Sequence, residues 1–502
     1  MTDKAIALSI DIGTSSTRVL LWDATGREAG SVRAQVQYRM KTTSDGGVEM
    51  PAEELLAHVG ECLDMAIQQG AGNLNSLRVV GISTFWHALV GLDTQGKPVT
   101  PIYNWADNRA AAAAKRLQAE WNETEIHART GCVLHPSYYP AKLTWLRESQ
   151  PDLYKQVDRW CSPSEYLFGA WFGADARRVS VSMASGTGLF HQDHCTWDAD
   201  LLKALDLSPD RLSPIVDLKE SSRGLQGEYA VRWPALKDIP FFPAVGDGAC
   251  GNVGSGCVSA TRAAINLGTS GAIRVVWDEK SQPHSATIVP SAPPGLWRYR
   301  VDSHRPVMGG AFSDGGDVYA WMNRTLQLPS AEETEQEISR IEPGSHGLTF
   351  LPFLAGERSI GWRPDARASL VGMTLDTRPI DILRAAMEAV ALRFALASQL
   401  LRGVFPEARE IVASGNALAH SPAWTQMFAD ALGQSVTLAA EPEASSRGAA
   451  LLAMEAAGLI GAADETQARL GQTFTPDAKR HERYQEMLTR QQVLCAQLVG
   501  TH

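Results

Sequence analysis

One thirteen-residue segment occurs twice in this chain, about half a chain apart. Residues 11–23 read Asp-Ile-Gly-Thr-Ser-Ser-Thr-Arg-Val-Leu-Leu-Trp-Asp, and residues 266–278 read Asn-Leu-Gly-Thr-Ser-Gly-Ala-Ile-Arg-Val-Val-Trp-Asp. In the first copy, apolar runs of strand length at 5–10 and 19–22 flank a polar stretch whose Gly13 permits a tight turn. That pattern predicts a β-hairpin with amides and small hydroxyls gathered at its tip. Such a tip is a cradle for anions, and Asp11 beside it is a candidate oxygen ligand for a divalent cation. Taken alone, the segment is equally an ordinary hairpin with a Ser/Thr-rich turn. Its recurrence points instead to a duplicated domain, because solenoids repeat every few dozen residues. Two such hairpins facing each other across a cleft would clamp a nucleotide.

The length of 502 residues exceeds one core, at about 150 residues per domain. With 44% apolar and 20% charged residues, two large α/β domains are expected, here divided as 1–256 and 257–502. A net charge of −10 argues against nucleic acid or an anionic membrane as the main partner. Any phosphate must then be held by local amides, a metal and a few cations. Seven cysteines lack disulfide or metal-ligand spacing, which fits a reducing compartment. With no signal peptide before the first strand and no run of membrane-spanning length, a soluble cytoplasmic protein is expected.

Periodicity predicts a helix over 52–69, strands over 77–83 and 88–92, and a more irregular stretch from 128 to 200. A strand should lead into a glycine-rich loop within 242–256, which presents Asp247 between Gly246 and Gly248. In the second half, helices are expected over 379–402 (with Gly403 as its stop), 422–433 and 447–458, and a strand over 410–414. The charged segment 479–497 reads as a surface-covering helix.

Three Gly-containing loops, two with an Asp, suggest phosphoryl transfer, which needs cradled phosphates, a bridging divalent metal and a base for the attacking hydroxyl. Asp247 is the candidate base, with room for substrate beside its glycines. An Asp between two glycines is also a common turn residue, so the joint pattern carries the assignment.

On these residues the sequence resembles the FGGY carbohydrate kinases of the actin-like ATPase superfamily, over essentially the whole chain. Residues 11–18 are similar to the family's first phosphate loop, 246–248 to its catalytic loop and 266–271 to its second phosphate loop. The spacing from Ala368 through Gly372, Asp381 and Glu388 is similar to the C-terminal signature, and 413–421 to the adenosine loop. The resemblance implies two ribonuclease-H-like domains flanking a deep cleft, with ATP and Mg²⁺ between them. It implies Asp247 as general base and Asp11 with Asp247 at the metal. Gly13, Thr14, Ser15, Gly268, Thr269, Gly415 and Asn416 would contact the nucleotide. The adenosine loop departs from the family's paired glycines at Asn416, a residue type that tolerates left-handed geometry.

For the sugar, the resemblance points to Trp86 and His87, Arg109 in Trp105-Ala-Asp-Asn-Arg109, and Asn252 as an orienting residue. Each has a plainer reading: Trp86–His87 as a buried aromatic pair, Arg109 as the structural partner of Asp107, and Lys142 as a loop brace. Glu357–Arg358 reads as a structural ion pair near the cleft. The 105–109 motif, His135-Pro136 and 182–189 look most like the gluconate-kinase branch, with Arg109 or His87 available to a carboxylate. A pentulose kinase for xylulose or ribulose is the alternative. A non-kinase actin-like ATPase or a sugar-sensing binding protein is the alternative of another class. The partner is thus a small-molecule sugar or sugar acid, with a homodimer as the candidate assembly.

Overall fold

A computed structural model describes residues 4–70, 74–280 and 291–500. The first sheet contains β1 (Ala7–Ile12), β2 (Ser16–Trp22), β3 (Glu28–Gln37), β4 (Val79–Thr84) and β5 (Val245–Gly246), in the order β5-β4-β1-β2-β3. Strands β1, β2 and β3 form an antiparallel meander, and β4 and β5 add parallel to β1. The second sheet contains β6 (Arg262–Leu267), β7 (Gly271–Val276), β8 (Trp297–Arg300), β9 (Pro306–Phe312), β10 (Glu410–Ser414), β11 (Val436–Ala439) and β12 (Leu470–Phe474). Its order is β8-β9-β7-β6-β10-β11-β12. The central run β9-β7-β6-β10-β11 repeats the first sheet in order and direction, with β8 and β12 added at the edges. The duplication read from two short segments is a duplication of whole ribonuclease-H-like sheets.

Helix α1 (Ala52–Gln69) matches the predicted span and buries Leu55, Val59, Leu63 and Ala66 on the first sheet. The glycine-rich stretch expected as a loop is instead a helix, α2 (Asp247–Gly254). Its glycines serve close packing: a Cβ on Gly254 would meet the Ala444 carbonyl oxygen at 1.8 Å. The second half supplies α3 (Gly316–Thr325), the long α4 (Pro379–Val404), α5 (Asn416–Ala419) and α6 (Pro422–Leu432). Helix α4 runs through Gly403 to Val404, so that glycine is not the stop. Helix α6 ends at Gly433, whose φ of 64° is the left-handed geometry a C-terminal glycine provides. Two more helices follow, α7 (Ala444–Ala456) and α8 (Ala478–Leu498).

Helix α7 comes from the second half of the chain but packs on the first sheet, with Ala449–Met454 in that sheet's core. Small residues make this approach feasible: a Cβ on Gly81 would meet the Ala449 carbonyl oxygen at 2.1 Å, and one on Gly448 the Cys250 carbonyl oxygen at 1.9 Å. The Ala/Gly-rich composition of 444–456 therefore binds the two halves together behind Asp247. Helix α8 covers the second core with Tyr484, Met487 and Leu488 and leaves its charged face to water. No helix among the described residues is long and apolar enough to cross a membrane.

Candidate active site

Strand register brings the two aspartates together. Asp11 lies opposite Ser83 of β4, and Ser83 lies opposite Val245 of β5, two residues before Asp247. Asp247 is the first residue of α2 and accepts the Gly248 N–H at 2.7 Å. Gly246 cannot carry a side chain, because a Cβ would lie 1.9 Å from the Trp86 ring. Burial pushes the Asp11 carboxyl up to about 6, against a lowering contribution from Ser83, and the Asp247 charge adds to the rise. Burial also raises Asp247, opposed by the Arg274 charge and the Gly248 N–H. A buried carboxylate and a half-buried one, brought to the same end of the sheet, favour a positive charge between them, whether a proton or a hard cation. No cluster of three or more metal-ligating side chains exists among the described residues. The oxygen donors present fit a Mg²⁺ that keeps much of its water shell and is completed by phosphate.

A cleft of about 900 Å³ runs from these aspartates along the second sheet. Its wall includes Asn266, Gly268 and Thr269, and its far end Glu335, Asn416 and Trp424. The second hairpin's turn is held from behind: the Gly268 carbonyl accepts the Gly316 N–H at 2.7 Å, and that of Thr269 accepts the Gly315 and Asp317 N–H groups at 3.1 and 3.2 Å. With its carbonyls turned to the start of α3, the exposed Thr269 hydroxyl is left to the cleft. Gly415 has a φ of 102° and sits so close to β6 that a Cβ would meet the Leu267 carbonyl oxygen at 2.3 Å. The left-handed tolerance expected of Asn416 is not used. Positive φ falls on Gly415, and Asn416 opens the helical turn α5 in ordinary geometry. In the first hairpin Asp11 and Arg18 line the cleft, whereas Gly13, Thr14 and Ser15 stand at the tip outside that wall. The Gly13 carbonyl accepts the Tyr38 hydroxyl at 2.7 Å, and that of Ser15 the Tyr38 N–H at 3.0 Å, which pins this turn as α3 pins the other.

On the acceptor side the residues divide differently from the sequence reading. Trp86 is 4% exposed, donates Nε1–H to the Ser182 carbonyl at 3.0 Å and backs the 246–248 backbone. His87 is buried with Nδ1 on the Gly186 carbonyl, which makes Nδ1 the protonated nitrogen and Nε2 the lone pair. Burial and the Arg358 charge lower its pKa, so it is neutral. Arg109 is spent elsewhere: its guanidinium bonds Asp107 and Glu49 and lies over Tyr103 and Trp145. Lys142 donates to the His87 carbonyl at 2.7 Å and braces that loop. Asn252 is fully buried and donates to the Cys257 and Arg274 carbonyls at 3.3 and 3.4 Å.

The Glu357–Arg358 pair expected from sequence does not form. Glu357 pairs with Arg393 of α4, and Arg358 turns the other way, over the rings of Trp105 (5.1 Å) and Trp362 (5.9 Å). Arg274 and Arg358, neither singled out as a ligand from sequence, are the cations whose charges act on Asp247. Each has a buried Nε with no hydrogen-bond partner among the described residues.

Known proteins match this arrangement throughout. Residues 6–254 match the N-terminal domain of the FGGY family of carbohydrate kinases, and residues 263–457 its C-terminal domain. The gluconokinase of Bacillus subtilis (strain 168) is 28% identical over 96% of this chain and 94% of its own length. The crystal structure of gluconate kinase from Lactobacillus acidophilus superposes with a TM-score of 0.89 at 26% identity, covering 99% of this chain and 98% of that one. Ligand-bound xylulose kinase from Lactobacillus acidophilus superposes equally well, with a TM-score of 0.89 at 26% identity and 99% coverage of both chains. A duplicated fold, a carboxylate at the head of a nucleotide-sized cleft and matches across both halves agree: this chain belongs to the FGGY family of carbohydrate kinases.

Proposed function

We propose that this kinase transfers the γ-phosphoryl group of ATP to a terminal hydroxyl of gluconate, giving 6-phosphogluconate in the cytoplasm. The observation that carries the reading is the charge around the base: the charges of Arg274 and Arg358 act on Asp247, and both are half-buried cations whose Nε has no hydrogen-bond partner among the described residues. An acidic acceptor would complete that balance, and a neutral ketopentose would leave it open. The gluconokinase likeness supports the same reading, while the equal likeness to xylulose kinase keeps xylulose or ribulose as the second candidate.

In this mechanism Asp247 accepts the proton of the attacking hydroxyl, its raised pKa bringing its basicity nearer to neutrality. Gly268 and Thr269 hold the β- and γ-phosphates, with Gly13, Thr14 and Ser15 closing from the facing hairpin. Gly415 and Asn416 border the adenosine. Asp11, with Asp247, would hold Mg²⁺, which when bound would supply positive charge against that developing during transfer. Trp86 and His87 support the acceptor pocket from beneath, and Asn252 fixes the strand that carries Arg274.

A coupled ADP-release assay over gluconate, other sugar acids, xylulose, ribulose, alditols and glycerol tests the assignment. Selective stimulation by gluconate, with a phosphorylated product by mass spectrometry, is the expected result. Selective stimulation by a ketopentose would transfer the assignment to the pentulose reading.

A further inference from the structure

A second, smaller chamber of about 350 Å³ lies between the two halves. Trp105, Asn108, His135 and Ser137 come from the first half, and Arg358 and Arg367 from the second. Arg358 is the unusual member. Its guanidinium is sandwiched by contacts to an aromatic ring from each half, and it makes no ion pair or side-chain hydrogen bond among the described residues. Stacking on aromatic faces partly compensates a cation removed from water, but the planar donor fork of an arginine remains unmatched. The neighbouring carboxylate, Glu357, is taken by Arg393, and Arg367 gives its NH1 donors to the Pro364 and Ala366 carbonyls.

His135 adds a neutral imidazole, with Nδ1 held 3.0 Å from the Ser137 hydroxyl and 3.2 Å from the Ser137 N–H. The charges of Arg358 and Lys142, added to burial, keep the ring uncharged, with a pKa lowered to about 3. The chamber therefore offers one unspent guanidinium beside a neutral imidazole, and its one lining carboxylate is already neutralised.

We infer that this chamber is the carboxylate subsite of the acceptor, and that Arg358 is the residue by which the kinase selects sugar acids over neutral polyols and ketoses. The carboxylate lies on the Arg358 fork as a bidentate charge-assisted pair, and the far end of the carbon chain presents its hydroxyl to Asp247. One aromatic wall joins subsite and base: the His135 ring lies 6.4 Å from that of Tyr138, Tyr138 lies 5.1 Å from His87, and the adjacent Trp86 backs Gly246 and Gly248 on either side of Asp247. This inference rests on the sugar-acid reading above and names the group that enforces it.

The test compares gluconate with glucitol, the six-carbon alditol that has a primary alcohol in place of the carboxylate. In Arg358→Gln, the ratio of kcat/KM for gluconate to that for glucitol should fall about 30-fold or more, mainly through KM for gluconate. Arg358→Lys, which keeps the charge but loses the fork, should fall between the two. The ATP-induced rise in melting temperature, measured on each variant, reports that the fold and the nucleotide cleft are intact. An unchanged ratio in both variants would overturn the inference while leaving a gluconate-active wild type, and hence the sugar-acid reading, in place. An equal loss of kcat with both acceptors would assign Arg358 to the transferred phosphoryl group instead. A wild type that prefers glucitol or a ketopentose to every sugar acid would overturn both.

Discussion

The two hairpins are copies of one design that do different things. In the first, Ile12 faces Thr17, and in the second Leu267 faces Gly271, so the second turn is one residue shorter. Alternation along a strand makes that residue decisive, since a shift by one moves every following side chain to the other face. Arg274 aligns in sequence with Val19, which faces Ile10 in the first core and is fully buried. The shorter turn places Arg274 opposite Ala264 instead, on the face that lines the cleft beside Asp247. The copies also differ at their key polar position: Asp11 is a buried carboxylate, and its counterpart Asn266 is an exposed amide. The repeated tryptophans remain structural in both, with Trp22 donating to Ser9 Oγ at 2.8 Å and Trp277 packing on Phe405. Duplication supplied the scaffold twice. In the proposed mechanism, charge and one deletion then divide the labour, with metal and acceptor on one side and donor phosphates on the other.

The sharpest break of that division is at the base, beside the first hairpin. Asp247→Asn should lower kcat by about 10³-fold while nucleotide binding persists, because base catalysis contributes about 10²–10⁴-fold. Single-turnover product formation set against ATP-induced thermal stabilisation separates the two effects.

Arg274 tests what the shorter turn achieves. Its positive charge holds the Asp247 carboxyl down, so Arg274→Met should let that carboxyl titrate higher. The base form is the active one, so the acid limb of the kcat/KM profile should move to higher pH. A fall of about tenfold in kcat/KM near neutrality should accompany it. A pH–rate profile of both enzymes checks the direction, and a limb that stays put removes Arg274 from the electrostatics of the base.

The smallest effect concerns a carboxylate of the second lobe that lies outside the cleft wall. Asp314 is 5% exposed, accepts the Ala355 N–H at 3.0 Å, and is pushed up to about 8 by burial and then by Asp317. An Asp whose folded pKa is raised from 3.8 to about 8 stabilises the fold only below its unfolded pKa. That contribution is lost as pH rises between the two values. Asp314→Asn should therefore flatten this part of the melting curve against pH, gaining about 2 °C over wild type at pH 8.5. A slope shared by both proteins would mean that Asp314 is ionised in the fold without penalty.

The same comparison explains how far the sequence could be read. The hairpins and the long helix were legible because glycines, apolar periodicity and the repeat all pointed the same way, and Asp11 with Asp247 at one site came from the family resemblance. Helix α2 was hidden because its glycines looked like a loop, when they are spaced for contact with α7. Arg274 was hidden by the repeat itself, since an ungapped match lays it over a core valine. Arg358 was masked by Glu357, although adjacent side chains on an irregular segment need not meet. Its actual partners are Trp105, from the other half of the chain, and Trp362, four residues on. The family motif pointed to Arg109 as a ligand cation, but the plainer reading describes its contacts, since Asp107 two residues before it takes the charge.

Magnesium activation of Asp11→Asn and Asn266→Ala, measured side by side at saturating ATP and acceptor, tests the division of labour most directly. The account predicts that Asp11→Asn moves the Mg²⁺ midpoint upward by about tenfold or more. Asn266→Ala should leave that midpoint in place and change only KM for ATP. Equal shifts in the two variants, or a shift confined to Asn266→Ala, would contradict the assignment of metal to the first hairpin and phosphates to the second.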